Sequence, residues 1–352
     1  MSLPQQRYRG IRFGSFKGGY VKDLTIIVGT IGQSILRSED NGQTWTRIGP
    51  RRGFPYEASV RCIVMRPTEP NVVFAGTERG LYRSDDAGAN WRCMDSVLNS
   101  YYVWALCIDP ANPNVMFAGT GTPSPAGIFR STDGGTSWER RPAEIAATCE
   151  NVGSPRVTAI AIDPLESENV WMGLEVDGAR HSTDGGNTWE LVEVTGHKDI
   201  HNVVVIAGPP KTVFIVANRE IYATADNGVN WTSLGMQTNI PWEYPRKETY
   251  LRGVAAYPAD PKTLLLGFGD FTPGTSGGVA RSDDLGNRWE LLPLPVEPNS
   301  TVWTFGTNAV DPNIVFAATR YGYLYRSDSG GASWTKLRRE FSEIAAVCWL
   351  PN

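Results

Sequence analysis

Side chains able to move protons are few in this chain and fall close together. It has three histidines, and two of them lie in Gly196-His197-Lys198-Asp199-Ile200-His201, with Glu175 and Asp177 a short way upstream. Imidazole titrates near neutral pH, and a carboxylate beside it can tune it as a general acid or base. His201, Glu175, Asp177, Asp199 and Asp270 are therefore the candidate catalytic residues. A second set could hold a ligand: Arg61, Tyr101, Trp104, Arg156, His197, Arg246, Tyr250, Arg252, Trp303 and Arg320. Aromatic walls with arginines suit a compact anionic or hydroxylated organic ligand, because guanidinium forms bidentate pairs with carboxylate. His197, His201 and a carboxylate match no established metal-ligand spacing, so no metal is expected. The Gly-rich run 269–278 lacks the G-x-x-x-x-G-K-[ST] pattern, so it is not read as a phosphate cradle and no cofactor is expected.

These residues are scattered along the chain, and a repeat is what can gather them. The pattern S-x-D-x-G-x-x-W occurs at Ser38/Asp40/Gly42/Trp45, Ser84/Asp86/Gly88/Trp91, Ser131/Asp133/Gly135/Trp138, Ser182/Asp184/Gly186/Trp189 and Ser282/Asp284/Gly286/Trp289. Thr224/Asp226/Gly228/Trp231 has Thr for Ser, and Ser327/Ser329/Gly331/Trp334 has Ser for Asp. The seven tryptophans are 46, 47, 51, 42, 58 and 45 residues apart.

The residue types describe a hairpin with a fixed turn. Asp accepts from backbone N–H groups two or more residues on, Gly takes a positive φ, and Trp opens the next strand with a large face to pack against a neighbouring unit. Short strands repeating every ~40–45 residues are the signature of a propeller. The expectation is an all-β chain: one domain over residues 1–352, a seven-bladed β-propeller of four-stranded antiparallel blades. Inner strands begin near Ser59, Tyr102, Val157, His201, Leu251, Thr301 and Ile344. The first repeat has no inner strand of its own and the last, 344–350, has no blade after it, so the C-terminal strand should join the N-terminal blade and close the ring. Residues 1–20 are left over as an extra strand or flap.

The boxes resemble the Asp-box, or bacterial neuraminidase repeat, of sialidases, sortilin-type receptors, xyloglucan-degrading glycosidases and photosystem II assembly factors. The resemblance covers nearly the whole chain and implies the propeller fold, while those families differ in chemistry. Sialic acid cleavage is disfavoured, since that family's Arg-Ile-Pro element has no counterpart in Arg9-Gly10-Ile11-Arg12-Phe13. The xyloglucan-degrading enzymes use a cleft between two propellers, and seven boxes make one.

Bulk properties narrow the partners. A net charge of -4 without long runs of one sign advertises neither nucleic acid nor an acidic membrane. The N-terminus lacks the apolar core of a signal peptide, and the five cysteines carry no C-x-x-C pairing, which reads as a cytoplasmic chain with reduced thiols.

Strand direction places the loops entering the inner strands on the face opposite the boxes, where every candidate residue should meet around the central channel. Two functions fit. One is a hydrolase or lyase acting at this mouth on a small carbohydrate-like or carboxylate-bearing substrate, glycosidase-like, with paired carboxylates as acid and base. The other is a non-catalytic platform that grips a ligand or protein partner. Interblade ion pairing, with His201 bonded to a backbone carbonyl, is the plainer use of the same residues.

Overall fold

In the computed structural model, the residues described are 23–194, 197–242 and 248–352. The possible flap at 1–20 and Arg246 lie outside them. The chain folds into seven four-stranded antiparallel sheets. Blade 2 shows the pattern: Val60–Arg66, Glu69–Thr77, Gly80–Ser84 and Arg92–Cys93, running from the channel outward. The inner strands of successive blades lie side by side around one axis.

Blade 1 is composite. Its inner strand, Ile344–Pro351, pairs antiparallel with Leu24–Thr30, with Leu24 opposite Pro351 and Val28 opposite Val347. Trp349 and Leu350 are fully buried there, and Trp349 packs with Ile26 and with Phe316 of blade 7. The expected closure is present. Second strands such as Met116–Thr120 and Leu264–Gly269 are buried at every residue, because each blade is covered on both faces by its neighbours.

The boxes form as their residue types demand. Ser38 Oγ donates to Asp40 Oδ1 (2.8 Å) and accepts from Gly42 N (2.9 Å), Asp40 accepts from Thr44 N (2.8 Å), and Trp45 Nε1 donates to Gly42 O (3.0 Å). Box glycines sit at φ of 78° (Gly88) to 96° (Gly331), a region closed to most side chains. In the seventh box the hydroxyl of Ser329 replaces the carboxylate and accepts from Ser333 N (2.9 Å). The indoles reach across blades: Trp189 meets Phe117 edge-on at 6.5 Å, and Trp231 meets Trp171 at 5.9 Å. The hydroxyl and amide of Thr44 hold Asp40 down to about 2, and Ser137 and Thr188 do the same to Asp133 and Asp184.

One box histidine carries a testable consequence. The ring of His181 stacks on Trp171 with centroids 3.6 Å apart and planes within 8°. Burial, with Lys211 adding, pushes its pKa from 6.5 down to about 4. The unfolded chain therefore takes this proton first, so the stabilisation is whole above about 6.5 and is lost as pH falls toward about 4. Discounted for partial exposure, the loss is on the order of 1–2 kcal/mol. Urea titrations at pH 7 and 4.5 should show a smaller acid loss for His181→Phe, which keeps the stack, than for the parent; equal losses would contradict the assignment.

Candidate functional site

Inner strands carry a common irregularity that makes the site. In blades 2 to 7 the pairing with the second strand skips one residue: between Val60 and Cys62, Val103 and Ala105, Val157 and Ala159, Ile200 and Asn202, Leu251 and Gly253, and Val302 and Thr304. In blade 1 the skip falls between Ile344 and Ala346. The unpaired residues are Arg61, Trp104, Thr158, His201, Arg252, Trp303 and Ala345. A bulge breaks the strand's alternation and re-aims a side chain. All seven line one channel cavity of about 220 Å³. Through Arg61, Trp104, Arg252 and Trp303 it adjoins a wider mouth of about 560 Å³, walled by the loops opposite the boxes.

The mouth is built on two indoles, each shared by two guanidiniums. Arg61 and Arg156 lie 4.0 and 4.7 Å from the Trp104 ring, and Arg252 and Arg320 lie 4.0 and 4.4 Å from that of Trp303. Stacking on an aromatic face holds a guanidinium in place while leaving its N–H fork free. Arg156 pairs with Glu175 (2.7 Å) and Arg320 with Glu343 (2.6 Å). Arg61 Nε donates to the Tyr102 hydroxyl (2.8 Å). Among the described residues, neither Arg61 nor Arg252 makes a close ion pair, though the charge of Arg252 helps lower the pKa of Asp199. Burial, with Arg61 and Arg252 adding to it against Glu343, brings Arg320 down to about 10. Among the described residues that line the mouth, cations outnumber carboxylates.

His201 forms part of the floor. Its side chain is 1% exposed, its Nδ1 lies 2.7 Å from Leu251 O, and its Nε2 lies 3.2 Å from Asp199 Oδ2 and 3.3 Å from the Tyr250 hydroxyl. A carbonyl only accepts, so Nδ1 carries a proton. Burial, then Arg252, holds the imidazole below its ordinary pKa of 6.5. Neutral, the ring accepts from Tyr250 at Nε2; protonated, it donates to Asp199. Both nitrogens are thus engaged, and the ring organises the floor instead of offering a free lone pair.

The other expected site residues divide in two. Glu175, His197, Asp199, Tyr250 and Asp270 line the mouth, as do the four arginines and both tryptophans. The Asp270 carboxylate, however, accepts from Thr275 N (2.8 Å), Thr275 Oγ1 (2.8 Å) and Ser276 N (3.2 Å), tying its own loop. Burial opposes its ionisation, but these donors outweigh it and lower its pKa. Asp177 and Tyr101 are not brought to either cavity. Asp177 Oδ2 lies 3.1 Å from Arg180 Nη2 and accepts from Ala146 N (3.1 Å). Tyr101 packs against Phe129 at 4.9 Å in the core between blades 2 and 3. Thr158, Ala345 and Asn218 are among the lining residues that were not expected. The first two were readable by aligning Val60-Arg61-Cys62, Val103-Trp104-Ala105, Val157-Thr158-Ala159 and the corresponding triplets, whose central column is the bulge ring. Among the described residues no cluster of histidine, cysteine and carboxylate could hold a metal.

This ring of blades and channel mouth defines a seven-bladed β-propeller. The family model described as photosynthesis system II assembly factor YCF48 matches residues 119–253. The chain is 27% identical over 328 residues to xyloglucanase Xgh74A of Acetivibrio thermocellus, covering 78% of this chain and 38% of that protein. It is 24% identical over 370 residues to a Paenibacillus xyloglucanase, covering 87% of this chain and 34% of that one. It therefore spans well under half the length of these relatives. Among solved structures, the Niastella koreensis GH74 enzyme superposes with a TM-score of 0.63 at 22% identity, over 79% of this chain and 45% of that one. YCF48 bound to D1 peptide superposes with a TM-score of 0.54 at 18% identity, over 79% and 81%. These likenesses are of fold.

Proposed function

We propose that the channel mouth is a recognition site for a carboxylate-bearing organic ligand. The observation that carries this is the pair Arg61 and Arg252, each 4.0 Å from an indole ring and neither in a close ion pair among the described residues, Arg252 reaching the Asp199 carboxylate only through the field that lowers its pKa. Held this way, the two guanidiniums lose little freedom when a carboxylate arrives. A sugar acid, an organic acid and a peptide C-terminus all present that group, the last in keeping with a structural neighbour bound to a peptide.

Glycoside hydrolysis is the second reading, favoured by the similarity to xyloglucanases. That reaction takes a carboxyl held protonated as the acid and a second carboxylate as base or nucleophile. Glu175 and Asp177 are ion-paired and the pKa values of Asp199, His201 and Asp270 are all lowered, so the proton would come from the Tyr250 hydroxyl beside His201. Calorimetric titration separates the two. Carboxylates should bind, more weakly at high salt, while neutral xyloglucan oligosaccharides neither bind nor release reducing ends. Cleavage of those oligosaccharides would establish the second reading, and absence of any carboxylate binding would remove the first.

A further inference from the structure

Resting on the carboxylate reading, we propose that the ligand is a small dicarboxylate lying across the neck of the channel, one carboxylate on Arg61 and the other on Arg252. The bulge ring places these arginines on blades 2 and 6, and their indole partners, Trp104 and Trp303, on blades 3 and 7. In a ring of seven, members three places apart are as distant as the ring permits, so the two stacks stand on opposite walls. Each wall has the same make-up. Arg61 and Arg156 share one indole, Arg252 and Arg320 share the other, and one guanidinium of each set is in a close ion pair, Arg156 with Glu175 and Arg320 with Glu343. That leaves one stacked guanidinium per wall outside any close ion pair among the described residues. Arg61 gives its Nε–H to the Tyr102 hydroxyl and keeps its terminal N–H groups for a ligand. Asp199 does not fill the place on Arg252: its carboxylate is engaged by His201 at 3.2 Å and by the Asn218 side chain, and it feels Arg252 through the field alone.

Arg61, Trp104, Arg252 and Trp303 line both the channel cavity of about 220 Å³ and the mouth of about 560 Å³, so both stacks sit where the two spaces meet. The shorter arc between the walls passes through blade 1, whose ring member Ala345 lines the cavity with no more than a methyl group. The charges of Arg61 and Arg252 both push the pKa of Arg320 down, so guanidiniums of the two walls repel across the neck. A monocarboxylate neutralises one wall and leaves the other as it was. A dicarboxylate answers both, and once its first carboxylate is held the second contact is intramolecular, so affinity depends on how well the ligand's length matches the span.

The test is calorimetric titration of the full chain with succinate, glutarate, adipate and pimelate, against butyrate and hexanoate as singly charged counterparts and inorganic sulfate as a compact dianion. One member of the dicarboxylate series should bind about tenfold to a hundredfold more tightly than the monocarboxylates, the gain from one further charged contact, with shorter and longer members weaker. Arg61→Met and Arg252→Met, each alone, should bring that dicarboxylate down to the level of the monocarboxylates. If butyrate and hexanoate bind as tightly as every dicarboxylate, the two-wall assignment is wrong and the carboxylate site stands. Sulfate binding more tightly than any dicarboxylate would also overturn it, by showing that the guanidiniums converge on one point. If no carboxylate binds, both assignments fall. Should either variant not fold, the ranking by length on the parent chain still decides.

Discussion

Removing residues Phe341 to Asn352 is expected to leave a chain with no cooperative melt at all. The segment supplies the whole inner strand of blade 1, paired along Leu24 to Thr30, and without it two sheet edges open. It also withdraws Ile344, Val347, Trp349 and Leu350 from sites where they are all but inaccessible, together with Phe341, which meets Trp45 at 4.9 Å. At about 1.5–3 kcal/mol for each of the four buried strand side chains, the loss is roughly 6–12 kcal/mol before Phe341 or any hydrogen bond is counted. That is comparable to the whole stability of a typical domain, about 5–15 kcal/mol. Trp349→Ala alone should cost about 3–5 kcal/mol. Circular dichroism melts and gel filtration decide the matter; a truncated chain that stays monomeric and melts like its parent would show that closure is dispensable.

Replacing Arg61 and Arg252 together by Met should abolish carboxylate binding while leaving the propeller intact. Met keeps an apolar stem over Trp104 and Trp303 and removes both charges. Charged hydrogen bonds contribute about 1.5–3 kcal/mol each, so the pair is worth roughly 3–6 kcal/mol, or about 10²- to 10⁴-fold in Kd. The melting temperature should hold or rise, because Arg320 is then relieved of two like charges that now help depress it. An affinity within threefold of the parent's would move the ligand site away from this mouth.

Much of the architecture could be read without coordinates. Ser, Asp, Gly and Trp at fixed spacing close a turn through bonds among themselves, whatever surrounds them, so the seven boxes located seven outer hairpins. Counting strands then forced the C-terminal segment into the first blade. The side of the ring on which function collects followed from strand direction, and Arg61, Trp104, His201, Arg252 and Trp303 were picked out as residues entering inner strands.

Which way those side chains point was another matter. Tyr101 lies three positions before Trp104, yet it packs on Phe129 while Trp104 faces the channel. The difference is the bulge after Val103, which exists only once Val103–Ile108 is paired with Met116–Thr120. Residue types likewise left His201 open between a general base and a ring bonded to a backbone carbonyl, and left Asp270 a candidate acid or base. Their partners, Leu251 O, Tyr250 and Asp199 for the first and the loop amides for the second, come from the folded backbone. Local bonding rules thus wrote the repeats, the turns and the closure into the chain. The indole-stacked arginines and the engaged histidine arise only when seven inner strands converge, because charge balance and burial belong to the space between blades and to no one of them.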